Sequence, residues 1–77
     1  MEQIKITLRS VQDVQDFVAI ATAQPFPVRV GSGSHWVNGK SFMEMFGLNF
    51  SRPLMAAFEC GETERSAFLQ EAARFFF

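Results

Sequence analysis

The segment Asn38-Gly39-Lys40-Ser41-Phe42-Met43-Glu44-Met45-Phe46-Gly47-Leu48 places a turn and a basic residue ahead of a serine, and the serine ahead of four large apolar side chains. Ser41 with Glu44 three positions later matches a capping box: the serine oxygen accepts from a helix amide and the carboxylate returns a bond to the cap. Gly47 is expected to stop this helix after about two turns. So short a helix buries little, so part of Phe42, Met43, Met45 and Phe46 is expected to stay outside, as a surface for a partner.

Working outward from that segment, the preceding stretch reads as a hairpin. Phe26, Val28 and Val30 alternate with Pro27 and Arg29, and the proline suits the first residues of a strand or an edge. Gly31-Ser32-Gly33-Ser34 is expected to turn the chain into a short strand His35-Trp36-Val37. Further upstream, Ile4, Ile6 and Leu8 alternate with Lys5, Thr7 and Arg9, the period of a strand with one wet face. Ser10, with Asp13 three residues on, caps a helix in which Val11, Val14, Phe17, Val18 and Ala21 share a face. Pro25 ends it near Gln24. Downstream, Asn49 to Arg52 connect to a strand whose Leu54, Ala56 and Phe58 face one way, and Gly61 breaks it. Thr63 is expected to cap a last helix with Phe68, Ala72 and Phe75 on one face, flanked by Leu69 and Phe76.

The order is therefore β-α-β-β-α-β-α over residues 1–77, one domain. Four strands with one apolar face each, and two amphipathic helices to cover it, predict an α+β open-faced sandwich: a four-stranded antiparallel sheet with helices on one side. A chain of 77 residues buries only about 60% of its unfolded surface, and ten phenylalanines supply the core material. The net charge of −1 offers no field for nucleic acid or an anionic membrane. Cys60 has no partner for an internal disulfide, no cluster of metal ligands is present, and no cofactor motif is found. The opening residues lack an apolar signal core, and no apolar run approaches the ~20 residues of a membrane span. The expectation is a reduced, cytoplasmic domain.

The element order, the length and the segment from Asn38 to Leu48 resemble HPr, the histidine-containing phosphocarrier protein of the bacterial sugar phosphotransferase system. They look still more like its relatives in Gram-positive bacteria, including the catabolite-repression HPr homologue, which keeps the serine and lacks the histidine. The layout matches over almost the whole chain; Phe17-Val18 and the Lys40-Ser41 helix carry the sequence-specific part. The resemblance implies an HPr-like fold, a regulatory phosphorylation site at Ser41, and a partner surface made by Lys40, Phe42, Met43 and Phe46, with Met45 and Leu48 turned inward. The implied partner is a protein: a regulator, a kinase or a phosphotransferase-system component.

The departures bear on chemistry. The family holds a histidine just before the first helix, with arginine and proline two and three residues later; anchoring on Phe17-Val18 puts Ser10, Gln12 and Asp13 there. A serine phosphate ester is too inert for a phosphoryl relay, and Asp13 would repel the incoming phosphate. No catalytic residue is therefore assigned, and the chain is not expected to be an enzyme. Two other readings stay open: a phosphocarrier using His35 or Ser10 as acceptor, and a small structural domain that self-associates weakly through Phe75-Phe76-Phe77, of which at least one is expected to be exposed.

Ser41 also reads simply as a helix cap. A phosphate there would benefit from the helix N-terminus and Lys40 but lie close to Glu44. His35 lacks an orienting partner for nucleophilic work. Cys60 reads as a small apolar residue, not a reactive thiolate. Gly31-Ser32-Gly33-Ser34 lacks the lysine and context of a phosphate loop.

Overall fold

In the computed structural model, which describes residues 2–49 and 51–76, the alternating N-terminal segment forms strand β1 (Glu2–Ile6). Helix α1 (Val11–Thr22) follows, then the hairpin β2 (Val28–Ser32) and β3 (His35–Asn38), the short helix α2 (Phe42–Met45), strand β4 (Leu54–Phe58) and helix α3 (Glu62–Glu71). One turn of 3-10 helix, Ala73–Phe75, comes after α3. The strands make one antiparallel sheet in the order β1-β4-β2-β3, with the helices on one face, the expected open-faced α+β sandwich.

Cross-strand register explains the apolar face. Ile4 pairs with Ala56, Ala56 with Val30, and Val30 with Val37, so one row of small and branched side chains runs across all four strands beneath the helices. Val14, Phe17 and Ala21 of α1 and Phe68 of α3 are fully buried against that face. Phenylalanines do most of the filling. Phe68 meets Phe58 edge-on with ring centroids 5.0 Å apart and Phe26 at 5.7 Å, while Phe17 meets Phe75 at 5.8 Å. Each buried ring contributes roughly 1.5–3 kcal/mol by leaving water, and each edge-to-face pair about 0.5–1.5 kcal/mol more.

Several boundaries differ from the sequence reading, each for a physical reason. Gly31 and Ser32 are not turn residues; they extend β2, pairing with Trp36 and His35, and only Gly33-Ser34 turn. Gly33 takes φ +62° at the first of the two turn positions, a left-handed geometry suited to glycine in tight hairpins. Leu8 leaves the strand yet stays buried, because Thr7 N–H turns to donate to the Phe75 carbonyl at 2.7 Å. Helix α3 starts two residues earlier than Thr63 would set it. Gly61 is its N-cap, and Glu64 Oε1 accepts the Gly61 N–H at 3.2 Å, so a glycine supplies the backbone and the glutamate alone supplies a side-chain bond. After Glu71 the chain tightens into the 3-10 turn that buries Phe75, and Phe76, half-buried, bridges to Ile6. Phe77 and the Phe50 of the connection into β4 lie outside the described residues.

Candidate functional site

The start of α2 is built around Asn38, the last residue of β3. Its carbonyl accepts the Ser41 N–H at 3.0 Å, its Oδ1 accepts the Lys40 N–H at 2.9 Å, and its own N–H donates to Glu44 Oε1 at 3.1 Å. Ser41 is the N-cap, extended at φ −107°, and its Oγ accepts the Glu44 N–H at 3.3 Å. Half of the expected capping box is therefore present. The returning carboxylate reaches past the cap to Asn38, because the Ser41 N–H is already taken by the turn.

Gly47 directly follows the C-cap Phe46, but the helix is one turn long and not the expected two, and Gly47 keeps a negative φ. Among the described residues Gly33 is the glycine with positive φ, and α2 closes after a single turn, with Gly47 N–H on the Glu44 carbonyl at 3.0 Å and Leu48 N–H on the Met45 carbonyl at 3.1 Å. Met45 is completely buried and Leu48 is 6% exposed, so these two anchor the element. Met43 on the opposite side is 85% exposed. Phe46 is 42% exposed and packs edge-on against the half-buried Phe42, centroids 4.4 Å apart. The Lys40 ammonium does not point at Ser41 Oγ for a bond; it donates to the Gln24 carbonyl at 2.8 Å, tying the turn before α2 to the chain just past the end of α1.

The start of α1 has a different character. Ser10 Oγ accepts the Asp13 N–H at 3.1 Å, and Asp13 Oδ2 accepts the Arg9 N–H at 2.9 Å. Arg74 reaches across from the C-terminal segment to Asp13 and Asp16, its guanidinium 4.3 Å from the Phe75 ring centroid. An open hollow of about 510 Å³ lies beside Ser10, lined also by Thr7, Leu8, Arg9, Val11 and Ser51. Ser51, in the connection after α2, thus borders the same hollow as the first residues of α1. Val11, assigned above to the core face of α1, is instead 55% exposed at this end, where it borders the open hollow in place of the core. His35 sits exposed on β3, the edge strand farthest from β1, so the structure does not bring it to Ser10.

Elsewhere, Arg65 holds Glu2 in a two-pronged ion pair, Nη2 to Oε2 at 2.8 Å, which keeps the Glu2 carboxyl below the usual carboxylate range. Cys60 is half-buried and packs against the core; burial first, then the nearby Glu64 and Glu2, push its thiol up, away from the nucleophilic thiolate. Among the described residues no group of three metal-ligating side chains converges, and no helix is long and apolar enough to cross a membrane.

Comparison with known proteins returns a structural likeness. No family model matches the chain, and no curated protein matches its sequence. Among solved structures the fold is similar to the crystal structure of HPr-C-His from Thermoanaerobacter tengcongensis, with a TM-score of 0.74 and 20% sequence identity over 95% of this chain and 92% of that one. At that identity the likeness establishes an HPr-like fold and nothing finer.

Proposed function

We propose that this chain is a regulatory or adaptor domain of the type linked to phosphotransferase-dependent carbon control. It binds a protein partner through Phe42, Met43 and Phe46, with Lys40 beside them, and phosphate on Ser41 adjusts that binding. The observation that carries the reading is Met43, 85% exposed on a single helical turn whose Met45 is completely buried. A turn anchored from below by one methionine, while it presents another together with a phenylalanine, has the adaptable apolar surface that protein partners bury.

The α1 end supports docking over phosphoryl relay. Ser10 offers an alcohol whose oxygen caps the helix, Asp13 puts a carboxylate beside it, and Arg74 is held by Asp13 and Asp16. At Ser41 a phosphate would add about −1.5 to −2 charges next to Glu44 and displace the Oγ from the Glu44 amide. Its effect is then to loosen the first turn of α2 and to offer a partner arginine a charged acceptor.

Phe46→Glu is expected to fold normally by circular dichroism and thermal melting, since the ring is 42% exposed, while losing co-purification of the partner from extracts of the host. A folded variant that retains its partner would sink the assignment. Phosphate control is read by site-mapped intact mass of the protein taken from its host in rich and poor carbon supply. Occupancy at Ser41 should vary with supply, and an unmodified mass in both removes the control and leaves the docking surface.

A further inference from the structure

The helix-free face of the sheet has no part in that docking site, and its middle is hollow. Gln3 on β1, Ala57 on β4 and Arg29 on β2 are successive cross-strand partners, so a methyl group lies on the floor between an amide and a guanidinium. With Trp36 of β3 they line a trough of about 310 Å³. Trp36 pairs with Gly31, and its indole lies flat over that glycine: a Cβ there would fall 2.6 Å from Cδ2, 2.7 Å from Cε3 and 2.8 Å from Cε2. Gly31 is therefore the space in which the ring is pressed to the sheet, leaving the other ring face outward. Arg29 is exposed and makes no ion pair or hydrogen bond through its side chain among the described residues. Glu59 borders a neighbouring hollow with Arg29 without pairing with it.

We propose that this trough binds a small aromatic anion, an aryl carboxylate of one ring. The ring stacks on the outward face of the Trp36 indole, the carboxylate meets the Arg29 guanidinium, and the Gln3 amide lines the other side of the trough, above the covered Ala57 methyl, which is 2% exposed. The size is at the small end of ligand sites, which suits one ring and one acid group. A guanidinium fork matches a carboxylate with two parallel bonds, and an aromatic wall favours a flat partner over an aliphatic one. A single indole on a chain of net charge −1 does not provide the run of stacking platforms and positive field that single-stranded nucleic acid needs.

The test is an amide NMR titration of the full chain with para-hydroxybenzoate, with neutral para-cresol and inorganic phosphate as controls. Saturable shifts are expected at the Arg29 and Ala57 amides and the Trp36 indole N–H, with little response to either control. Arg29→Gln, an exposed substitution, should weaken binding about tenfold, the loss of one charge-assisted pair. Glu59→Gln should strengthen it, and Phe46→Glu should leave it unchanged. Absence of saturable shifts, an equal response to para-cresol or to phosphate, or indifference to Arg29→Gln would overturn the proposal.

Discussion

Phe68→Ala is expected to remove a large part of the chain's stability. Phe68 is completely buried on the inner face of α3, and its ring stands edge-on to both Phe58 of β4 and Phe26 ahead of β2. Deleting it removes the transfer energy of a whole ring and two aromatic contacts, and leaves a cavity between layers that cannot close, because β4 is pinned between β1 and β2. Substitutions of this kind cost about 3–5 kcal/mol, against a total stability of about 5–15 kcal/mol for native domains. In a domain of this size the loss corresponds to a fall in Tm on the order of 15–30 °C. Thermal unfolding followed by circular dichroism reads it directly; a fall of only a few degrees would mean that α3 is not part of the cooperative core.

The second large effect is local and bears on function. Met45→Ala is expected to release α2. Four residues of helix cannot persist alone, because nucleation is costly and one turn returns few bonds. What holds this turn is the completely buried Met45 side chain, assisted by Leu48 and by the bond from the Met45 N–H to the Ser41 carbonyl at 3.0 Å. Truncation costs about 2–5 kcal/mol, and part of that falls on α2 itself. Hydrogen exchange should show the Met45 and Phe46 amides losing protection beyond what global destabilisation explains, while the β4 amides keep theirs relative to the new global stability. Partner binding should fall with them, although Met43 and Phe46 are untouched. Retained protection at Phe46 would place the anchor of α2 elsewhere.

The sheet and its helices were legible because each carried a local period. Ile4 and Ile6 alternate, Val14, Phe17 and Ala21 recur at helical spacing, and Pro25 punctuates. The strand order was not, since nothing local in Leu54–Phe58 says that it slots between β1 and β2. Gly31 read as a turn for the same reason. Its role is to lie beneath Trp36, a contact set by cross-strand register and not by neighbours in sequence. Val11 fits the apolar stripe of α1 yet is exposed, because periodicity gives the face of a helix but not whether other elements arrive to cover it; Val11 faces an open hollow.

At α2 the serine cap was legible from Ser41 and Glu44, and the inward turn of Met45 and Leu48 followed from the resemblance. The carboxylate's reach to Asn38 and the commitment of Lys40 to the Gln24 carbonyl depend on the hairpin and on α1 arriving beside the turn. Arg74 closing on Asp13 and Asp16 is of the same kind, a pairing between the two ends of the chain with no trace in either segment alone. The trough on the far side of the sheet left no signal in sequence, because its four lining residues come from four strands.

The claim on which the functional reading rests is that the exposed side of α2 meets a protein. A photo-activatable cross-linking residue in place of Met43, in the protein expressed in its own host, tests that contact directly. Met43 is 85% exposed and makes no contribution to the core, so the substitution should not disturb the fold. A defined protein should become linked from position 43, and not from position 70 on the exposed side of α3, and the link should disappear when Phe46→Glu is added. No linked protein at position 43, or the same products from both positions, would contradict docking through α2.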